Sequence, residues 1–239
     1  GTDAYIITSP DGITWTERAN PKNFGLSTVC YGNSLFVAAG GADGTDAYLI
    51  TSPDGITWTE RSNAKNYSLI DVCWGNALFV AVGQADTADA YIITSANGTS
   101  WTERSNPKKF ALNGVCYGNS LYVAVGDPDG TDAYIITSPD GITWTERSNP
   151  KNIRLIDICW NGSLFVAVGD PDGTDAYIIT SPDGITWTER ANPKNIHLHN
   201  VAWNGLLFVA VGNADGTDGY IISSPDGITW TERSNPKNF

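Results

Sequence analysis

Short apolar blocks separated by polar turns run the length of this chain, and the whole pattern returns every 43 residues. Within one period, residues 26–31 (LSTVCY) are half apolar and rich in β-branched side chains. Residues 35–39 (LFVAA) form a continuous apolar run, as expected of a strand covered on both faces. Residues 47–52 (AYLITS) and 57–61 (TWTER) follow, the last with Thr at alternate positions and a charged end. The pattern predicts four short strands, termed a to d, and no stretch has helical periodicity.

Turn residues fall between the blocks. Asp-Gly or Asn-Gly between c and d, as in Asp54-Gly55 and Asn97-Gly98, is a strong hairpin signal because such turns need φ > 0. The a–b turn reads Gly-Asn in three copies and is reversed at Asn161-Gly162 and Asn204-Gly205. Strand d ends in Thr-Glu-Arg, and charge at a sheet edge blocks edge-to-edge pairing. Strand d is therefore expected outermost and strand a innermost. A repeated four-stranded meander of this length predicts an all-β fold, a β-propeller of four-stranded antiparallel blades. Solenoid coils are shorter, and immunoglobulin-like units need about twice the residues.

The opening block GTDAYIITSPDGITWTERANPKNF returns at 44, 87, 130, 173 and 216, so five periods leave a remainder of 24 residues. One domain over 1–239 is expected: an extra c–d half-blade (1–24), then five complete blades at about 25–67, 68–110, 111–153, 154–196 and 197–239. A six-bladed ring, or a piece of a longer array, is the alternative; the absence of Met fits a processed chain or a piece. The last a–b pair is expected to be completed by its own hairpin at 216–239 or by the N-terminal one. The unused hairpin would offer an edge through which copies self-associate.

Composition narrows the partners. The net charge of −12, from 14 Lys+Arg against 26 Asp+Glu, has the wrong sign for a nucleic-acid binder. It also disfavours anionic membranes, and no apolar run is long enough to insert into one. Nine Trp, ten Tyr and seven Phe can fill a packed interior. Cys30, Cys73, Cys116 and Cys159 occupy one place in the repeat, with Ala202 at the fifth. Sheets stacked about 10 Å apart would hold these thiols beyond disulfide reach. Buried free thiols are expected, and the compartment stays open.

The c–d hairpin, Ser9-Pro10-Asp11-Gly12-Ile13-Thr14-Trp15, resembles the Asp-box of sialidase-type (BNR) propellers, Ser-x-Asp-x-Gly-x-Thr-Trp, shortened by one residue between Asp and Thr. It recurs around Trp58, Trp101, Trp144, Trp187 and Trp230, so the resemblance covers the chain. It implies a structural role, with the carboxylate accepting backbone N–H groups in the turn and the Trp wedged between blades. It does not imply catalysis. The enzymes of that family use an arginine triad, a Tyr–Glu nucleophile pair and an Asp acid, placed asymmetrically on different blades. Here Arg154 is the one Arg outside Thr-Glu-Arg, and every Glu lies in that repeated motif. Nothing singles out a carboxylate pair flanking one bond. A non-enzymatic protein without a cofactor is expected.

Two other chemistries need weighing. The b–c loops are acidic, with Asp127, Asp129 and Asp132 in one and Asp170, Asp172 and Asp175 in another. Closely spaced Asp can supply oxygen ligands to a weak Ca²⁺ site, or simply cap backbone groups in a solvated turn. His197 and His199, the only histidines, share a strand face, but two His without a third ligand do not specify zinc.

The copies differ mainly from the d–a loop into strand a. Equivalent positions read Phe24, Tyr67, Phe110, Ile153, Ile196; then Gly25, Ser68, Ala111, Arg154, His197; then Ser27, Ile70, Asn113, Ile156, His199; then Thr28, Asp71, Gly114, Asp157, Asn200. A further column in the b–c loop reads Gly41, Gln84, Asp127, Asp170, Asn213. Neutral drift after duplication would scatter changes over every exposed site, yet strand d scarcely varies. The variation therefore points to a recognition face on one side of the ring, since loops on a fixed scaffold carry binding function. Its candidate residues are Tyr67, Asp71, Phe110, Asn113, Arg154, Asp157, His197, His199 and Asn200. Multivalent carbohydrate binding is the most concrete expectation, and a protein-binding or structural scaffold the alternative.

Overall fold

A computed structural model describes residues 5–216 and 218–235. The outermost residues of the half-blade and of the fifth blade lie outside this range. Among the described residues the chain forms one two-stranded sheet and five four-stranded antiparallel sheets. The half-blade is β1 (Ile6–Thr8) with β2 (Thr16–Arg18). Blade one is β3 (Leu26–Gly32), β4 (Leu35–Ala42), β5 (Ala47–Ser52) and β6 (Thr59–Glu60). Blade two is β7 (Leu69–Gly75), β8 (Leu78–Ala85), β9 (Ala90–Ser95) and β10 (Thr102–Arg104). Blade three is β11 (Leu112–Gly118), β12 (Leu121–Pro128), β13 (Ala133–Ser138) and β14 (Thr145–Arg147). Blade four is β15 (Leu155–Trp160), β16 (Phe165–Pro171), β17 (Ala176–Ser181) and β18 (Thr188–Arg190). Blade five is β19 (Leu198–Trp203), β20 (Phe208–Ala214), β21 (Gly219–Ser224) and β22 (Thr231–Glu232).

Strands run a-b-c-d across each sheet, and each strand a lies against the strand a of the next blade. The fifth a–b pair is completed by its own hairpin, while β1 and β2 pair with each other beside blade one. The core lies between blades. Between blades two and three, Val80, Val82 and Ile92 pack on Val115, Tyr122, Ala124 and Trp144, all buried. The same cluster recurs one period later around Trp187 and two periods later around Trp230. Three aromatics of one blade, such as Tyr122, Tyr134 and Trp144, therefore fill each of these junctions, where their large area stabilises most when dry.

The hairpin loops differ from the sequence expectation in two ways. The c–d connection is longer than a two-residue turn, since β5 ends at Ser52 and β6 starts only at Thr59. The carboxylate of Asp54 accepts the N–H groups of Ile56 and Thr57, both at 2.8 Å, which takes those amides away from cross-strand pairing. Gly55 turns the chain at φ +73°. The a–b turn of blade one centres on Asn33-Ser34, at φ 48° and 58°, rather than on Gly32-Asn33. Gly32 instead stays in the strand, where it must be glycine because Trp74 of the next blade lies where a Cβ would be.

Candidate functional site

The Asn-x-Lys segment after strand d, constant in its Asn and Lys, ties each blade to the next. Tyr91 of blade two donates its hydroxyl hydrogen to Asn63 Oδ1 at 2.8 Å, and its oxygen accepts the Lys65 N–H at 3.0 Å. Tyr134 and Tyr177 repeat this with Asn106 and Lys108, and with Asn149 and Lys151. The lysine ammonium then reaches into the next blade's acidic loop. Lys65 binds Asp86 Oδ2 at 2.5 Å and also Glu103, and Lys151 binds Asp172 and Glu189. This ion pair holds the Asp86 and Asp172 carboxyls down to about 2, helped by N–H groups of their own turns. The Thr-Glu-Arg edge is wired as well: Glu takes that lysine, and Arg61 Nε donates to Thr51 of strand c at 2.9 Å.

These lysines decide the reading of the acidic loops. Asp129, Asp132 and Glu146, and likewise Asp172, Asp175 and Glu189, bring one carboxylate oxygen each within 4.8 Å of one another. Lys108 already binds Asp129 and Glu146, so an ammonium takes the place a cation would need. Asp127 and Asp170 lie apart from these triads and pair with Arg154 and His197. Lys108→Ala is expected to lower Tm by a few degrees, on the order of 1 kcal/mol for a partly exposed ion network. It should also make Tm rise with added Ca²⁺ in scanning fluorimetry, to which the parent stays indifferent. A Ca²⁺-dependent Tm in the parent would contradict this assignment.

The variable positions mostly bond to one another across blade junctions. Asp71 accepts the Thr28 hydroxyl of blade one at 2.8 Å, its own Val72 N–H, and the Val115 N–H of blade three at 2.8 Å. Asp157 accepts the Val201 N–H of blade five at 2.8 Å. Burial raises both carboxyls, that of Asp157 to about 7. Arg154 Nε donates to Asp127 at 2.9 Å, and Asn113 donates to the same carboxylate and to the Leu155 carbonyl. His197 Nδ1 meets Asp170 at 2.9 Å, and His199 Nε2 meets Asn213 at 2.6 Å. The two imidazoles lie nearly parallel, with centroids 6.3 Å apart. Tyr67 and Phe110 rest against Tyr91 and Tyr134, half-buried at the rim of the core. Only Arg154, His199 and Asn200 of the nine are mainly exposed.

A different feature is more open. Val29 of blade one is 60% exposed, whereas its equivalents Val72 and Val115 are 4% and 3% exposed. Tyr5, Ile7 and Trp15 of the half-blade and Tyr31 of blade one are exposed as well. A groove of about 650 Å³ runs between the two units, lined by Ile6, Thr8, Trp15, Val29, Phe36 and Trp58 among others. At the other end of the array Val211 is 40% exposed, so among the described residues blades one and five leave their outer faces uncovered. No column of the repeat predicts the groove, because among the described residues nothing covers this face of blade one as blade one covers blade two.

No known family profile matches the sequence, and no curated protein matches it. Solved structures do resemble it in shape. One is YCF48 bound to D1 peptide, at 17% identity and TM-score 0.67, with 97% of this chain matching 75% of that one. Another is the computationally designed Ika8 protein, at 11% identity and TM-score 0.62, with 98% of this chain matching 72% of that one. The likeness is one of fold: this chain is a β-propeller of four-stranded antiparallel blades.

Proposed function

We propose that this propeller is a non-enzymatic recognition module whose ligand is a polypeptide segment. The groove beside Val29 carries the reading, because contiguous apolar surface left open on a charged molecule marks an interaction site. The peptide held by YCF48, a propeller of similar shape, supports the same class of ligand. Catalysis has no place in the proposal, since the six Glu repeat in one motif and those of blades one to five bind lysines. Selection from a displayed random-peptide library should enrich apolar sequences, and a library that yields nothing above background would overturn the reading.

The second reading is multivalent carbohydrate binding, favoured by the exposed Asn200 and His199 on the variable side. A glycan array decides it, with Tyr67→Ala and Asp157→Ala as variants. An array without signal removes the sugar reading, and a sialoside substrate left uncleaved removes a sialidase-like activity.

A further inference from the structure

We propose that the a–b turn Asn161-Gly162-Ser163 is a self-modification site, where the Gly162 backbone nitrogen attacks the Asn161 side-chain amide and converts it to a carboxylate. The turn belongs to blade four, which has a described blade on either side, and the reaction needs no bound ligand.

The first observation is what surrounds the reacting atoms. Asn is followed by Gly at Asn97-Gly98, Asn161-Gly162 and Asn204-Gly205. Attack by the next backbone nitrogen on the Asn Cγ closes a succinimide ring, and a following glycine puts no side chain in the way. Asn161 Oδ1 accepts the Ser163 N–H at 2.8 Å, the Leu164 N–H at 2.7 Å and the Ser163 hydroxyl at 3.1 Å. These donors face the oxygen on which negative charge gathers as the nitrogen adds, the arrangement of an oxyanion hole. Gly162 is exposed, and its N–H has no partner among the described residues. Its φ of +102° suits glycine alone, so the turn itself fixes the residue the reaction needs. Asn204 Oδ1 accepts the N–H groups of Leu206 and Leu207 and no hydroxyl. At Asn97 the nucleophile is withheld: Gly98 is buried, and its N–H donates to Ser95 Oγ at 2.8 Å.

The second observation is that this chain holds carboxylates with the same donors. In the c–d turn, Asp54 Oδ1 accepts the N–H groups of Ile56 and Thr57 and the Ser52 hydroxyl. The equivalent set keeps the Asp11 carboxyl down at about 2. Asn161 copies that cradle with an amide in it, and hydrogen bonds to a charged acceptor are the stronger ones. The product acid therefore suits the turn better than the starting amide.

The chemistry balances without an oxidant or cofactor. Solvent hydroxide takes the Gly162 N–H proton, the nitrogen bonds to Asn161 Cγ, and the bond from Cγ to the side-chain nitrogen breaks, releasing ammonia once water has protonated it. Water then opens the ring. Attack at Cγ restores the main chain with an aspartate, and attack at the main-chain carbonyl leaves an isoaspartate.

The folded full-length chain, held at mildly alkaline pH, is followed by peptide mass spectrometry at the three Asn-Gly sites. Asn161 should lose its amide fastest, at roughly ten times the rate of Asn97 or more, with Asn204 between them. Ser163→Ala removes one donor at an exposed position and should slow Asn161 several-fold while leaving Asn204 unchanged. In guanidinium chloride the three rates should converge, that of Asn161 falling below its folded value. Asn161→Asp should melt at or above the parental Tm. The proposal is overturned if Asn97 keeps pace with Asn161 in the folded chain, if Ser163→Ala reacts at the parental rate, if unfolding speeds Asn161 up, or if Asn161→Asp lowers Tm.

Discussion

Gly126→Ala is expected to destabilise the protein by about 3 kcal/mol or more, lowering Tm by roughly 10 °C. Gly126 faces Leu112 across the β11–β12 pair, where the register shifts between Leu112 and Gly114. A Cβ on Gly126 would fall on the Ala111 carbonyl oxygen, with the Leu112 Cα at 3.0 Å. That obstacle is backbone, so no rotamer change relieves it. The same carbonyl accepts the Asp127 N–H at 3.0 Å, so any shift also breaks the bond that shapes the bulge. The arrangement recurs in every blade, with Gly40, Gly83, Gly169 and Gly212 against the matching carbonyls. Gly25→Ala is the control. Nothing lies within 4 Å of its Cβ position and its φ is ordinary, so it should be neutral or slightly stabilising by removing freedom from the unfolded chain. Thermal unfolding of the two variants checks this, and equal Tm values would contradict the bulge argument.

Those glycines also show which parts of the molecule are legible in one dimension. The apolar blocks, the Asp-Gly turns and the charged strand d carry local physics, and they lead to the strands and their order across each sheet. A period-long match is visible because each blade solves the same packing problem. The bulge at Leu112–Gly114 is not visible, since a glycine in a strand reads only as a weak position until the carbonyl opposite is known. Constancy was similarly ambiguous. Read alone, the unvarying Thr-Glu-Arg edge sets a quiet background against which a ligand face stands out. In the structure that edge is held by Lys22, Lys65, Lys108, Lys151 and Lys194 of the preceding units. Its constancy has a cause in the junctions, and it no longer argues that variation elsewhere serves a ligand.

The variable columns look different in pairs. Arg154 appears opposite Asp127, and His197 opposite Asp170, each facing the b–c loop of the preceding blade. Ser68 holds the equivalent place in blade two and accepts the Ala42 N–H at 3.2 Å. Read down one column these residues are unrelated in charge and size. Read across a junction they are matched partners, 27 residues apart in the Arg154 and His197 pairs. Sequence columns aligned by the repeat hide such pairing, because the two members belong to different columns and different blades. The groove beside Val29 is illegible for a related reason. Blade one carries the same surface as its sisters, and it is open because nothing among the described residues covers it.

The second large effect expected is an inverted pH dependence near neutrality. Burial between blades lifts the Asp157 carboxyl from 3.8 to about 7, the nearby Asp71 adding to the rise against the Val201 N–H that lowers it. Asp71 shifts in the same direction. A carboxyl whose folded value lies above its unfolded one binds its proton more tightly when folded. Its penalty is therefore absent below about pH 4, grows as pH rises towards 7, and is complete above that. From Asp157 alone the loss between pH 5 and pH 8 is on the order of 3 kcal/mol. The loop carboxylates act oppositely: Asp11, Asp43, Asp86 and Asp172 are held at about 2 and stabilise above the unfolded value, an effect lost as pH falls from 4 to 2. Stability should thus peak near pH 4 to 5 and decline towards pH 8. Asp157→Asn keeps an oxygen for the Val201 N–H but carries no charge, so its stability should fall clearly less than the parent's from pH 5 to 8, with Asp71 still contributing, and should exceed the parent's at pH 8. Urea denaturation of both proteins across that range measures the difference. A parent whose stability rises from pH 5 to 8, or an Asp157→Asn protein with the parent's pH profile, would show that this carboxyl titrates normally despite its place between the blades.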